Sequence, residues 1–369
     1  MTPVERLEPF DSDTFLSHYW QQRPCLIGNW LRPKALDLES LLDLADEHEL
    51  PSRLVTGNQS SENWTLTHGP LDDLPMVEHD WTLLVQEVDK VSPEVAAILG
   101  HFRFLPDWMI DDVMISQAVD GGSVGAHVDA YDVFLVQATG RRRWQLAGEF
   151  DPQIDERFEM ALLKNWQPEE ELVVEPGDAL YLPAGIAHHG VAEDRCQTWS
   201  VGLRTPSGPE LLFYLAETLA GQSDQHPRLG VPDPDPDNPS LIHAETLTRI
   251  RQLLTHCLDL DDRQLADLSA RFLTTWRAWP EDGASCSLEQ LVKTLQAGQP
   301  VSLASSARLA LIEQDGETIV VVNGETIDCP SELALELART RTLTPPWVDH
   351  LQTIKQLIEA DALLECFPE

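Results

Sequence analysis

Residues 121–144 read GGSVGAHVDAYDVFLVQATGRRRW. They contain a glycine-rich entry (Gly121, Gly122, Gly125), an H-x-D pair formed by His127 and Asp129, and a strand-like run ending at Arg141, Arg142 and Arg143. Side chains two apart in an extended backbone leave on the same side, so His127 and Asp129 can aim at one point. An imidazole and a carboxylate there make two-thirds of a 2-His-1-carboxylate metal site, which needs a second histidine from elsewhere. H-x-D alone recurs by chance. The glycines, which permit close backbone approach, and the β pattern that follows give it weight here. The second histidine is offered by EPGDALYLPAGIAHHG, residues 175–190, as either His188 or His189. Neighbours in an extended chain point to opposite faces, so only one of the two can reach the metal, and spacing does not choose between them.

Outward from that stretch, the chain from Val113 to Arg204 is patterned as β structure. VMISQAV, YDVFLVQAT, RRWQLA, ELVVE, ALYLPA and TWSVGLRT are short β-branched and aromatic runs divided by Gly, Pro and Asp. Successive strands with no helices between them predict a sandwich or barrel, and a barrel mouth is where a small-molecule site is expected. Upstream, residues 1–110 mix amphipathic helix and short strands. One helix runs through Phe15, Tyr19 and Trp20 and is stopped by Pro24, before the apolar run Cys25-Leu26-Ile27. A second follows the spacing of Leu38, Leu41, Leu42 and Leu44, and DWTLLVQEVDKVSPEVAAILGHF (80–102) reads as a further helical stretch. His18, His48, His68, His79 and His101 are solitary and read as surface or satisfied groups.

Downstream the character turns helical. Ser207 and Glu210 form an S-x-x-E capping box with Pro209 in the first turn of a helix that ends at Gly221. HPRLGVPDPDPDNPS, with five prolines, reads as extended loop. Two helices follow, AETLTRIRQLLTHCLDL and DRQLADLSARFLTTWRAW, the latter with Leu265, Leu268, Phe272 and Trp276 on one stripe. Three such helices make a poor independent core, which suggests a packing or dimerisation module. Residues 281–369 read as a small α+β unit: a helix closed by Gly298, strands joined at Asp315-Gly316 and Asn323-Gly324, then two helices. Helix, hairpin and helices together resemble a winged helix. Its 15 acidic against 5 basic residues, a net of −10, argue against direct DNA binding and favour a protein-contact or structural role.

The whole-chain numbers agree with a folded multidomain protein. The length of 369 residues exceeds one ordinary domain, and 42% hydrophobic content with 11 Trp excludes a disordered chain. No apolar run approaches the roughly 20 residues a membrane span needs. The N-terminal segment lacks a secretory pattern, so the expected location is cytoplasmic. Six scattered cysteines without a C-x-x-C pair fit a reducing compartment. A net charge of −37, with only five lysines, disfavours nonspecific nucleic-acid binding; it suits either basic partners or solubility in a salt-rich cytoplasm.

HVDAYDVFLVQATGRRRW, EPGDALYLPAGIAHHG, WSVGLRTP and DDVMIS (111–116) together resemble the JmjC-type ribosomal oxygenases of bacteria, nearly collinearly over the whole chain. The resemblance implies an α+β chain. Its parts would be a double-stranded β-helix (jelly-roll, cupin-like JmjC) barrel at 1–206, a helical dimerisation segment at 207–280 and a winged-helix-like domain at 281–369. It implies Fe(II) held by His127, Asp129 and His188, which selects His188 over His189 through the family's P-x-G-x-x-H pattern. It further implies 2-oxoglutarate and O2 at the open iron positions, with Arg142 and Ser116 on the far carboxylate of the cosubstrate. Strand alternation agrees, since Arg142 takes the face opposite to Arg141 and Arg143, and a guanidinium is a planar two-pronged partner for a carboxylate. Ala184, and Ala187 before His188, stand where the family often has proline, which touches loop rigidity more than chemistry. The implied activity is hydroxylation of an arginine side chain of a basic 50S ribosomal protein by a homodimer. The competing expectations are a JmjC or cupin oxygenase acting on histidine, asparagine or nucleic acid, and a non-catalytic cupin-like regulator. Succinate release dependent on Fe(II) and 2-oxoglutarate separates the last from the others.

Overall fold

The computed structural model describes residues 2–58, 63–75, 79–221, 227–230, 237, 240–275, 287–314 and 316–363. Its contacts divide the chain into two compact units, Met1–Thr205 and Pro206–Glu369.

In the first unit the strands are β1 (Glu5–Leu7), β2 (Cys25–Ile27), β3 (Ser52–Thr56), β4 (Thr65–His68), β5 (Trp81–Val85), β6 (Ile110–Ala118), β7 (His127–Val128), β8 (Asp132–Thr139), β9 (Arg142–Ala147), β10 (Glu170–Val174), β11 (Ala179–Leu182), β12 (Ala187–Ala192) and β13 (Cys196–Leu203). Its helices are α1 (Ser12–His18), α2 (Leu38–Asp46), α3 (Val88–Val91) and α4 (Pro93–Ala96). A nine-stranded sheet runs β1-β2-β11-β8-β13-β6-β5-β3-β4, and a four-stranded sheet runs β10-β9-β12-β7. The two sheets share a core in which Val133, Leu135, Leu180 and Leu182 of the large sheet meet Trp144, Leu146 and Val174 of the small one. This is the double-layered β arrangement that the alternating runs require.

The alternation of β8 separates two environments. Val133 and Leu135 face the small sheet, whereas Phe134 faces outward against Phe15 of α1, at 5.3 Å between ring centroids, and Tyr181, at 4.9 Å. Phe102, Phe104 and Trp30 complete that aromatic cluster, so the N-terminal segment is fixed to the outer face of the nine-stranded sheet.

Two expectations are corrected. Residues 81–85 are strand, not helix. The run Trp81-Thr82-Leu83-Leu84-Val85 is buried on both faces and pairs with β3 and β6, and a short, mostly apolar run is the pattern that periodicity cannot assign. The sheet also extends beyond Val113–Arg204, because strands from residues 5–85 add to both of its sides.

The second unit contains α5 (Gly208–Ala220), α6 (Ala244–Leu258), α7 (Asp262–Thr275), α8 (Leu288–Gln296), β14 (Val301–Ser302), β15 (Leu309–Gln314), β16 (Glu317–Val322), β17 (Glu325–Ile327), α9 (Ser331–Thr340), β18 (Thr342–Leu343) and α10 (Leu351–Glu359). The Ser207–Glu210 capping box opens α5. β16 turns into β17 through Asn323-Gly324, as the sequence suggests. Asp315, Trp276 and most of the proline-rich segment lie outside the described residues. Leu291, Leu295, Leu309, Val320, Leu333, Leu337, Ile354 and Leu357 form one core around the three-stranded sheet. α7 is tied to that sheet by Arg271, whose Nη1 donates to the Gly324 carbonyl at 2.7 Å and whose Nη2 donates to Thr326 Oγ1 at 2.7 Å. Among the described residues no helix is long and apolar enough to cross a membrane.

Candidate active site

The pairing of β12 with β7 sets His188 directly opposite His127, and their rings lie 4.3 Å apart. His188 also pairs with Leu146 of β9, on the inner face, while His189 pairs with Gln145 on the outer one. The choice that spacing leaves open is therefore made by register. His188 Nε2 is 3.6 Å and His127 Nε2 3.9 Å from Asp129 Oδ2. Each ring donates Nδ1–H to a backbone carbonyl two residues earlier, Ile186 for His188 and Gly125 for His127, both at 3.0 Å. A carbonyl can only accept, so both Nε2 atoms present lone pairs toward the carboxylate. Burial, followed by the His127 ring, pushes His188 down to about 4, which keeps it neutral. The three donor atoms lie within 4.8 Å of one another, a spacing that suits one hard or borderline metal ion.

His189 is buried on the opposite face, with Nδ1 3.3 Å from Gln145 Oε1 and its ring edge-on to Trp166 at 6.4 Å. Gln145 Oε1 also accepts from Trp166 Nε1 at 3.1 Å. This ties the loop between β9 and β10 to the sheet. On the same loop, Leu163 N donates to the carbonyl of Ala126, which precedes β7, and the loop passes close over Gly125. Gly125 has φ +78°, and a Cβ there would meet Leu162 Cδ2; glycine is what allows this approach.

Arg142 lies on the inner face of β9, in register with Val174 and Ala192, and is 4% exposed. Among the described residues its Nη2 reaches only Cys196 Sγ, at 3.7 Å, and its buried Nε has no hydrogen-bond partner. A buried guanidinium whose neighbours are a sulfur and an indole ring is costly unless an anion completes it. Ser116 is buried across the same cavity and donates to the Thr198 carbonyl at 3.3 Å. Arg141 and Arg143 point outward instead, to Glu193 and, more loosely, to Glu175 and Glu171.

All five residues singled out in the sequence line one cavity of about 440 Å³. Residues that the sequence reading did not single out share it, among them Asp112, Met114, Tyr131, Arg204 and Arg53. Arg204 Nε sits 2.8 Å from Asp111 Oδ2, a charge contact in which Nε makes no directed hydrogen bond, and its guanidinium lies 4.5 Å above the Tyr131 ring. Asp112 accepts from Glu87 N at 2.9 Å, and burial, with Asp111 and Asp89 nearby, pushes its carboxyl up to about 7. DDVMIS and WSVGLRTP mark these positions as blocks, but nothing local in them distinguishes Asp112 from Asp111.

The JmjC-domain family model matches residues 97–211, the span that supplies most of the lining of this cavity. The ribosomal protein uL16 3-hydroxylase of Escherichia coli is 32% identical over 349 residues, covering 89% of each chain. Solved structures of the E. coli ribosomal oxygenase YcfD align with 96% of this chain and 98% of theirs at 28% identity. One is in complex with cobalt and 2-oxoglutarate (TM-score 0.80) and another with cobalt and succinic acid (TM-score 0.79). With a shared fold over nearly the full length and two histidines and an aspartate converging in the barrel, this chain belongs to the JmjC ribosomal oxygenases.

Proposed function

We propose that the protein is an Fe(II)- and 2-oxoglutarate-dependent oxygenase that hydroxylates an arginine side chain of the large-subunit ribosomal protein uL16. The observation that carries this reading is the joint presence, in one cavity, of the His127–Asp129–His188 donor cluster and the buried, anion-deficient Arg142. The donor set fits Fe(II), since two neutral imidazoles and a carboxylate on one side leave the opposite side open. When bound, Fe(II) with 2-oxoglutarate and O2 supplies oxidative decarboxylation to succinate and carbon dioxide, coupled to insertion of one oxygen atom into a C–H bond.

The chain's own residues then have distinct tasks. His127, Asp129 and His188 hold the metal. Arg142, assisted by Ser116, holds the far carboxylate of 2-oxoglutarate through a planar two-donor contact. Val133, Leu135 and Trp144 wall this end of the cavity with apolar surface and keep water from it. At the other end, the Asp112 carboxylate faces the space a substrate guanidinium would enter. Met114 and Tyr131 offer apolar surface to the methylenes behind it. A carboxylate raised by burial and held by a single backbone N–H is the complement of a cationic guest, because the guest's charge restores the ionised form. No protein general base is required, since the bond broken is C–H.

Outside the barrel, 207–280 is read as a helical dimerisation segment and 281–369 as a winged-helix-like domain. α6 buries none of its residues, and Leu247, Leu254 and Leu258 are exposed along it, as are Leu212 and Phe213 of α5. A second copy of the chain is the occupant this reading assigns to that apolar face. The acidic balance favours a basic protein substrate in the cytoplasm over nucleic acid. Intact-mass analysis of 50S proteins tests the central claim. A gain of one oxygen on uL16, localised to an arginine and dependent on enzyme, Fe(II) and 2-oxoglutarate, is expected; the same gain on a different residue type would refute the arginine assignment.

A further inference from the structure

Arg53 lies on β3, opposite His68 of β4 and Leu84 of β5, and the same cross-sheet row continues through Ser116 to Thr198. Residues directly opposite in antiparallel pairs share a face, so Arg53 belongs to the inner face of the sheet. It is two strand spacings, ~10 Å, from Ser116. It lines the main cavity and also an adjoining concavity of about 370 Å³ formed with His48, Leu50, Pro51 and Pro70; His68 and Gln86 are likewise common to both. Arg53 thus stands where the two spaces join.

Its bonding state parallels that of Arg142, the other cavity arginine for which no ion pair forms among the described residues. The Arg53 Nε is buried without a hydrogen-bond partner, and among the described residues Arg53 forms no ion pair. Yet the chain carries 62 Asp and Glu, and the exposed Arg141, Arg143 and Arg157 all have carboxylate partners. A guanidinium left without a partner in so acidic a protein has five N–H donors available to a guest. The arginine side chain of the substrate brings only donors, so it cannot be that guest. The polypeptide on either side of it brings carbonyl oxygens, and a planar fork suits them.

We propose that Arg53 is a substrate-binding residue: it donates to main-chain carbonyl oxygen of the polypeptide flanking the hydroxylated arginine, at the point where that chain leaves the main cavity for the concavity beside His48 and Pro70. This rests on the reading of the substrate as an arginine within a polypeptide. A consequence for specificity follows from the fixed positive charge. The flanking residue that passes Arg53 is tolerated when neutral or acidic and disfavoured when it is lysine or arginine.

The test uses the Fe(II)-loaded enzyme with uL16-derived peptides containing the target arginine, and calorimetric binding of the same peptides to metal-free protein. Arg53→Ala is expected to raise both the peptide KM and the metal-free Kd at least tenfold, while the KM for 2-oxoglutarate stays within twofold. The difference from wild type should vanish once the peptide is shortened on the side that occupies the groove. A change below twofold, or an equal loss for long and short peptides, would overturn the assignment, as would a loss tracking a fall in Tm. A second measurement needs only the wild-type protein. Lysine is placed at each flanking position in turn, and one position should reject it at least tenfold while accepting aspartate. Uniform tolerance overturns the proposal. Wild-type protein that hydroxylates uL16 while Arg53→Ala behaves as wild type removes only this inference; wild-type protein inactive on uL16 removes both.

Discussion

At the level of single residues, the cavity is organised by charges that form no ion pair among the described residues. Arg142 is buried between a cysteine sulfur and the Trp144 ring, and Asp112, held by one backbone N–H, is buried beside other carboxylates. Each has an expected guest of opposite charge, and each makes a measurable prediction. Arg142→Ala should raise the KM for 2-oxoglutarate by roughly 30- to 1000-fold, equivalent to about 2–4 kcal/mol for a desolvated charged contact. Arg142→Lys should recover only part of it, because the two-pronged geometry is lost. For Asp112 the folded carboxyl is raised to about 7, above its ordinary 3.8. The protonated form is therefore favoured by folding, and this stabilisation is complete below pH 4 and lost as pH rises through 7. Asp112→Asn should then match wild type in Tm near pH 4 and exceed it at pH 8.5. The same variant should show a much higher KM for the peptide. It should also lose the rise in kcat/KM between pH 6 and 8 that ionisation of Asp112 gives the wild-type enzyme. Among the histidines, His127→Ala or His188→Ala should abolish turnover and metal uptake. His189→Ala should still bind iron, since its ring faces the Gln145–Trp166 side of the sheet; iron loss in that variant with His188 dispensable would refute the ligand assignment.

Elements position these groups through register. β12 alternates His188 and Gly190 toward the cavity with His189 away from it. Gly190 faces Trp144 so closely that a Cβ would lie 2.7 Å from the indole. Trp144 in turn stands between Arg142, at 5.8 Å from guanidinium to ring, and His188, at 5.8 Å between rings. Overpacking here should propagate to both. Gly190→Ala is expected to cost about 1–3 kcal/mol, a Tm drop of roughly 2–10 °C, and to weaken 2-oxoglutarate and metal binding together. Retention of full affinity for both would show that the indole is not the element holding them in place. How β7 and β12 meet was not legible in advance. H-x-D marked one strand end and P-x-G-x-x-H another, but their pairing spans about sixty residues and depends on which strands become neighbours. The helix expected over 81–85 failed for a related reason: the sheet buries both faces of β5, and that burial is a property of its neighbours rather than of its own period.

On the scale of the whole molecule, charge and exposed apolar surface set how the protein meets others. A net charge of −37 facing a basic substrate predicts association that slows roughly tenfold between low and high ionic strength, with kcat less affected. Stopped-flow binding of uL16 across salt concentrations measures this; a flat profile would assign the acidic surface to solubility instead. For α6, Leu254→Glu places a charge on the exposed apolar stripe. Sedimentation should convert from dimer to monomer with the barrel still folded. A monomeric wild-type protein would remove the dimerisation reading without touching the active site.

The amino-acid sequence by itself determined the β-rich barrel, the helical turn after Thr205, the capping box at Ser207, and the H-x-D pair His127 and Asp129. These depend on local spacing, and local sterics and periodicity are sufficient to express them; Arg142 and Ser116 entered through the resemblance to the oxygenase family. Tertiary structure decided what spacing cannot carry. It chose His188 over His189 on geometric grounds through its register against Leu146 and His127. It brought Ser116 and Arg142 from different sheets to one cavity, and it paired Asp111, but not Asp112, with Arg204 on the wall of that cavity. It also left Arg53 without an ion-pair partner among the described residues where two concavities meet. Each of these outcomes depends on which distant strands lie side by side and on what burial removes from water, and neither is written in any one stretch of chain.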